Sequence, residues 1–163
     1  MQPNTLLNRV ARDQLPPHMQ EAWDKAQAMH GDTTFVEVAG NNPRMYDWYL
    51  QDFYAKVFYG GGIDRQIVEL VRLRLANIHG CAFCNRSDRA AALAAGLDEA
   101  KLDALSDYEN GPFSDAEKAV LALADVMVLT NPQGEITPPL YERLKQHFTD
   151  GDLSELGIMM AVL

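Results

Sequence analysis

The chain has 163 residues, 47% of them hydrophobic, and a formal net charge of -9 that comes from 14 Lys and Arg against 23 Asp and Glu. This length and hydrophobic content predict one compact core, and therefore a single domain over residues 1–163. The negative charge argues against nucleic acid as a partner, because an acidic surface repels phosphate groups.

The sequence has no signal for export or for membrane insertion. Residues 1–10 mix Asn, Gln, Pro and Arg with apolar residues, unlike a signal peptide, and no apolar run is long enough to cross a bilayer. Two cysteines are too few to staple a secreted fold, and a dithiol that cycles needs a reducing partner. We therefore expect a cytoplasmic protein without a membrane partner.

Proline and glycine divide the chain into segments that mostly have helical periodicity, so we predict an all-α fold, a compact helical bundle. The first helices are expected over residues 18–29 and 43–59. No segment alternates convincingly as a strand does, and residues 33–38, the best candidate, are short and ambiguous. The segment 43–59 is rich in aromatic residues. We interpret their rings as core and oligomer-interface residues, with the lining of a substrate pocket as the alternative.

Asp64 is expected to cap a third helix, whose apolar face recurs every three or four residues and which leads the chain to Gly80. The residues of that face are Ile67, Val68, Val71, Leu75 and Ile78. Arginines that are expected largely off this face could contribute to a small basic patch. They are Arg65, Arg72 and Arg74, with Arg86 and Arg89 from the following segment.

Further helices are predicted after the cysteines. They cover residues 84–95, 98–105, 119–129 and 138–148. Ser114 and Glu117 form a capping box before the third of these, and Thr137 caps the fourth, which has proline at its first position.

The last segment opens at Asp152 with Glu155 and continues as residues 156–163, which are apolar on every side. A helix of this composition cannot remain in water. We expect it to be buried in the protein or against another subunit, unless the natural chain continues.

A pair of cysteines before an alanine-rich helical run is the most informative chemical feature. Cys81 and Cys84 are the only cysteines, and two thiols within one helical turn can close to a disulfide and reopen, so they can carry an electron pair. If Cys81 lies at the first turn, Cys84 and Asp88 follow on the same stripe of the helix. A helix start favours thiolate over thiol, and Cys81, nearest to it, is expected to feel the larger effect.

Glu69 and His79 are candidate proton carriers. Packing of two successive helices could bring the Glu69 carboxylate to the cysteines, where a buried carboxyl group with a raised pKa accepts a proton from a thiol. The alternative is that Glu69 pairs with a neighbouring arginine on a solvated surface. His79 could act as a base or stabilise a thiolate, or it could meet free carbonyls at a helix C terminus. One cysteine pair supplies too few ligands for structural zinc, so we expect neither a metal nor a cofactor.

A longer pattern surrounds the cysteines. Residues 61–71 read GGIDRQIVELV, residues 80–84 read GCAFC, and an alanine-rich helix closes at Gly96 and Leu97. Glu69 is followed by eleven residues, a cysteine, two residues and a second cysteine, which is far more specific than two spaced cysteines alone. This stretch resembles the carboxymuconolactone decarboxylase superfamily, specifically its alkylhydroperoxidase D-like branch.

The resemblance implies an all-helical fold, usually a homo-oligomer, that reduces a small-molecule hydroperoxide with its dithiol and is restored by a dithiol reductant. It also implies that Cys84 attacks the peroxide, that Cys81 resolves the product, and that Glu69 belongs to a proton relay. This order conflicts with the helix-start argument, which favours Cys81. At the level of sequence we follow the resemblance, because access and the proton relay also select the nucleophile.

Two positions depart from the branch. Asp88 stands where the branch typically has histidine, and Phe83 stands where its best-known members have another histidine between the cysteines. An anionic Asp88 would leave less thiolate at Cys84, unless Asp88 is protonated or paired with Arg86 or Arg89.

Two alternatives to a thiol peroxidase or dithiol oxidoreductase follow from these observations. The first is a family member that has lost peroxidase chemistry and binds small molecules or processes lactones. The second is a structural helical oligomer whose cysteines are inert core residues.

Overall fold

The structure is a computed structural model, and it describes residues 6–128, 131 and 133–163. These residues form helices and connecting turns without a strand, so the all-α prediction is confirmed. The chain divides into two compact units, with the boundary between Lys56 and Val57. The single domain over residues 1–163 stays a prediction, and each unit has a hydrophobic cluster of its own.

The first unit packs short helices around a small apolar cluster. Its elements are a 3-10 turn (Arg12–Gln14), α1 (Pro17–His30), α2 (Thr34–Ala39) and α3 (Pro43–Asp47). The cluster consists of Leu15, Met19, Val36 and Tyr46. Residues 33–38, the ambiguous candidate for a strand, contribute to α2 instead, because the Asp32 carboxylate accepts a hydrogen bond from the Thr34 amide and the chain turns into the helix.

The predicted helix over residues 43–59 has two parts. After α3, the chain continues as a π-helical segment, Trp48–Phe58. The hydrogen bonds of a π-helix join residues five apart, and aromatic rings at that spacing lie close together here. Trp48 stacks on Phe53 with ring centroids 6.3 Å apart, and Tyr49 meets the edge of Tyr54 at 5.0 Å.

The second unit contains the cysteines. Its helices are α4 (Arg65–His79), α5 (Ala82–Ala94), α6 (Glu99–Asp103), α7 (Asp115–Met127), α8 (Pro138–Lys145) and α9 (Asp150–Val162), with a 3-10 turn (Ala104–Asp107) after α6. Helix α4 packs against both α5 and α7. The core cluster consists of Leu70, Leu73, Ala92, Leu97, Leu102, Leu105, Tyr108, Phe113 and Leu121.

Helix α4 begins and ends as predicted. The Asp64 carboxylate accepts hydrogen bonds from the amides of Gln66 and Ile67, and Gly80 ends the helix with φ +66°, a left-handed conformation that favours glycine. Four of the five predicted apolar positions are buried, whereas Ile78 is only partly buried. The placement of Arg72 off the apolar face is wrong, because this residue is only 8% exposed.

The predicted caps of α7 and α8 are confirmed. Ser114 and Glu117 form the reciprocal capping box of α7, and the Thr137 hydroxyl accepts from the Leu140 amide at the start of α8. The predicted end of α7 at Leu129 lies outside the described residues. Helix α8 ends at Lys145, three residues before the predicted end at Phe148.

Helix α9 differs from its prediction. It begins after Thr149, which forms a capping box with Asp152, so the expected opening at Asp152 with Glu155 is wrong. Leu156 and Met159 are buried, whereas Ile158 is 59% exposed. No helix formed by the described residues is long and apolar enough to cross a bilayer.

Candidate active site

The two cysteines form a disulfide at the start of α5. Their Cα atoms lie 5.3 Å apart, and both residues are half-buried. Cys81 is the N-cap residue of α5, and its Sγ atom accepts a hydrogen bond from the Cys84 amide at 3.2 Å. The cap therefore places one sulfur directly at the free amides of the first helical turn.

The turn between α4 and α5 is tied down by backbone and side-chain hydrogen bonds. The Cys81 amide donates to the Ala76 carbonyl at 3.2 Å. The Asn85 side-chain amide donates to the Ala76 carbonyl at 3.0 Å and to the Cys81 carbonyl at 2.9 Å. Asn85 thus joins the end of α4 to the start of α5, a positioning role that the sequence analysis missed.

Glu69 is buried in α4 and lies between two arginines. Its side chain has no exposed surface, with Arg72 Nη2 2.6 Å from one carboxylate oxygen and Arg65 Nη2 2.5 Å from the other. Burial raises the pKa of Glu69, and the charges of Arg72 and Arg65 offset this effect only in part. The alternative prediction for Glu69 is therefore confirmed in its partners, which are arginines, but not in its solvated location, because the carboxylate is buried.

Asp88 lies one helical turn after Cys84 and is 7% exposed. Arg72 Nε lies 3.3 Å from its carboxylate, so Arg72 bridges Glu69 on α4 and Asp88 on α5. Burial raises the pKa of Asp88, and Arg72 opposes the shift. This bridge was not predicted, although Arg72 follows Glu69 by three residues and so lies beside it on the helix, which is a usable signal.

Asp88 is paired, as one of the two conditions on its charge required, but its partner is Arg72 and not Arg86 or Arg89. Arg89 pairs with Glu99 and with Asp103. Arg86 is exposed. The basic patch is not formed as suggested, because Arg72, Arg74 and Arg89 each pair with carboxylates.

Aromatic rings accompany the two arginines of Glu69. The guanidinium carbon of Arg65 lies 3.8 Å from the ring centroid of Tyr59, and that of Arg72 lies 5.0 Å from the ring centroid of Phe58. Arg72 Nη1 also donates to the Tyr59 hydroxyl at 3.2 Å. Tyr59 therefore contacts both guanidinium groups that hold Glu69.

His79 lies outside this cluster. It is the last residue of α4 and is exposed. A role as a base for the thiols stays a prediction. Within the part of the chain that the structure describes, no three His, Cys, Asp or Glu side chains converge as a metal site requires.

Comparison with known proteins assigns the family. The model of the carboxymuconolactone decarboxylase family matches residues 45–126, half of the chain, and this range contains Glu69, Cys81, Cys84 and Asp88. The chain belongs to the carboxymuconolactone decarboxylase family. The resemblance identified from the residues around the cysteines is thereby confirmed.

Several relatives share the sequence pattern or the fold. The uncharacterized protein YdfG of Bacillus subtilis is 28% identical over 99 residues, which are 60% of this chain and 67% of YdfG. An alkylhydroperoxidase AhpD core structure, that of an uncharacterized peroxidase-related protein from Ralstonia eutropha, superposes with a TM-score of 0.72 at 16% identity, covering 97% of this chain and 85% of its own.

A second solved structure gives the same result. ATU0492 of Agrobacterium tumefaciens, a protein of unknown function suggested to be the antioxidant defence protein AhpD, superposes with a TM-score of 0.65 at 24% identity. The match covers 75% of this chain and 82% of that protein. At these identities the two structures establish an AhpD-like fold.

Proposed function

We propose that this protein is a dithiol oxidoreductase that reduces hydroperoxides with Cys81 and Cys84, using Glu69 as its proton carrier. The observation that carries the proposal is the half-buried disulfide at the start of α5. A hydrogen bond from Asn85 to the Ala76 carbonyl holds this turn against the end of α4. The buried Glu69 carboxyl group, whose pKa is raised by burial, supports the proton-carrying role. The partners are a small-molecule hydroperoxide and a dithiol reductant.

The proposed reaction balances with these groups alone. One thiolate attacks the terminal oxygen of the hydroperoxide, the O–O bond breaks, and the alkoxide takes up a proton and leaves as the alcohol. The oxidised sulfur is then a sulfenic acid, which the second thiol attacks to form the disulfide and release water. The two thiols lose two electrons, the hydroperoxide gains them, and the dithiol reductant restores both thiols by exchange.

Counting thiols tests this proposal. The fully reduced protein, freed of reductant, is mixed with cumene hydroperoxide, quenched in denaturant and titrated for free thiols. We expect the loss of two thiols per chain and the formation of one equivalent of cumyl alcohol. The matched control is the Cys81→Ser, Cys84→Ser double variant, which should consume no hydroperoxide. Thiols that persist for many minutes in the wild type would reject the proposal.

A lactone-processing or small-molecule binding activity is the second candidate, and the name of the matched family favours it. Such an activity would use the buried carboxyl groups rather than the sulfurs. Cys84→Ser should then leave ligand binding or turnover unchanged, whereas a dithiol reaction needs both cysteines. The same variant therefore separates the two candidates.

The cytoplasmic location and the homo-oligomer also belong to this proposal. Large apolar side chains that are about half-exposed, such as Phe35, Met45 and Ile158, offer surface for contacts between subunits. Light scattering during size-exclusion chromatography gives the mass of the particle directly. A mass of 18.2 kDa, that of one chain, would contradict the oligomer.

A further inference from the structure

The two sulfurs of the disulfide occupy different environments. Cys81 caps α5, whereas Cys84 lies within its first turn, four residues before Asp88 and therefore on the same stripe of the helix. We infer that Cys81 is the thiol that attacks the hydroperoxide and that Cys84 closes the disulfide. This inference rests on the proposed function, and it reverses the order that the family resemblance implies.

The cap of α5 favours ionisation of Cys81. In an N-cap position, the side chain accepts from the amide of the third helical residue, and here that donor is the Cys84 amide at 3.2 Å from Cys81 Sγ. The same amides carry the partial positive charge of the helix start. In the reduced protein both effects stabilise negative charge on Cys81, which makes it the more readily ionised thiol.

The carboxylate of Asp88 disfavours ionisation of Cys84. Residues four apart on a helix are neighbours on one face, so Asp88 lies next to Cys84. A buried negative charge there opposes the formation of a thiolate at Cys84. Arg72 weakens this repulsion because it pairs with Asp88, but it divides its charge between Asp88 and Glu69. Cys84 is therefore the thiol that stays protonated longer.

The steps then have a fixed order. The Cys81 thiolate attacks the terminal oxygen, the O–O bond breaks, and the alcohol leaves with a proton that a carboxyl group such as Glu69 supplies. Cys84 attacks the sulfur of the Cys81 sulfenic acid, gives up its proton and releases water. The disulfide that results is the one seen at the start of α5.

Competitive alkylation tests the difference between the thiols. The reduced protein is treated with a small amount of iodoacetamide near pH 6.5, and the position of the label within residues 75–86 is found by tandem mass spectrometry. For each unit by which the Cys81 pKa lies below that of Cys84, Cys81 has about tenfold more thiolate near this pH. The thiolate of a more acidic thiol is also a weaker nucleophile, so the labelling rate rises only about threefold per unit. We expect at least about threefold more label on Cys81.

Asp88→Asn is the matched variant for this experiment. It should increase labelling of Cys84 and leave that of Cys81 unchanged, an effect that a merely structural role of Asp88 would not produce. Equal labelling of the two cysteines in the wild type, or more label on Cys84, would overturn the inference. This readout requires no hydroperoxide, so it is independent of the proposed function.

Trapping of the sulfenic acid tests the order of attack. After one equivalent of cumene hydroperoxide, Cys84→Ser should form a dimedone adduct on Cys81, whereas Cys81→Ser should form at least about threefold less adduct on Cys84 in the same time. Adduct mainly on Cys84 would overturn the inference while supporting the proposed function. No adduct in either variant, with wild-type thiols that also persist, would reject the proposed function, and the alkylation result would still decide which thiol ionises first.

Discussion

Two carboxylates, one in each unit of the chain, occupy opposite electrostatic environments. Glu37 in α2 accepts hydrogen bonds from Trp23 Nε1 at 2.8 Å and from the Thr33 hydroxyl at 2.7 Å, and it pairs with Arg9. Burial acts to raise the pKa of Glu37, but these three donors together hold it below its ordinary value. Glu69 has two arginine partners, and burial nevertheless raises its pKa.

The difference lies in the number of donors and the depth of burial. The Glu37 side chain keeps 13% of its surface exposed, and its three donors together outweigh the hydration that burial removes from its charge. The Glu69 side chain has no exposed surface, and the loss of hydration outweighs the charges of its two arginine partners. A carboxylate of the first kind holds structure together, because its charge is stable. One of the second kind can exchange a proton, because its two forms are closer in free energy.

The largest expected effect is that of Arg72→Met. This substitution leaves the carboxylates of Glu69 and Asp88 buried without their shared partner, and we expect a loss of about 3–5 kcal/mol in the free energy of unfolding at neutral pH. Chemical denaturation measures it. The loss should shrink in acid, where the carboxyl groups take up protons. A loss below about 1 kcal/mol, like that expected for a surface pair, would show that Arg72 does not stabilise the buried charges.

If Glu69 carries the proton, its loss should slow thiol oxidation, whereas the loss of Glu37 should not. Glu69→Gln keeps the shape of the side chain but removes its titration, so we expect thiol oxidation by cumene hydroperoxide to slow about 100-fold, within the usual range for general acid–base catalysis. Glu37→Gln is the matched control and should leave the rate unchanged. Stopped-flow measurement of thiol loss provides both rates. Equal rates for the wild type and Glu69→Gln would remove Glu69 from the mechanism.

Glu37 and Glu69 should contribute to the pH dependence of the free energy of unfolding with opposite signs. Because the pKa of Glu37 is lowered in the fold, its contribution is present above its ordinary value of 4.5 and is lost as the pH falls. Because the pKa of Glu69 is raised, the fold binds its proton more tightly than the unfolded chain does, and stability is lost as the pH rises from 4.5 through the raised value.

Denaturation at a series of pH values checks these signs. Glu37→Gln should flatten the fall of stability in acid, and Glu69→Gln should flatten its fall above pH 4.5. Each change is at most about 1.4 kcal/mol per pH unit, the limit for one proton. If both variants flattened the stability curve on the same side of pH 4.5, the two carboxylates would not differ as proposed.

The smallest effect is expected for Arg65→Met. Arg65 is 44% exposed in its side chain, and water weakens its attraction to Glu69, so we expect a loss of about 1 kcal/mol or less. Arg9→Met is the counterpart at Glu37, where Trp23 and Thr33 still donate, and a similar small loss is expected. A loss for Arg65→Met as large as that for Arg72→Met would show that the exposed arginine also supports the buried charge.

Much of the fold could be predicted because its signals are local. The caps at Asp64, Ser114 and Thr137 depend on a side chain and an amide two or three residues away. The π-helical segment was missed, since its pattern of aromatic residues also fits an α-helix. Residues 33–38 were ambiguous because a short apolar segment has no period of its own, and the turn at Asp32 selected the helix.

The sequence also places Cys81, Cys84 and Asp88 on one stripe of α5, because the helical repeat is a property of the backbone. It could not show that Arg72 turns inward and connects Asp88 to Glu69, since that contact exists only when α4 and α5 pack together. Burial of Glu69 has the same origin. The raised pKa of that carboxyl group comes from the removal of water by distant parts of the chain, which no local spacing encodes.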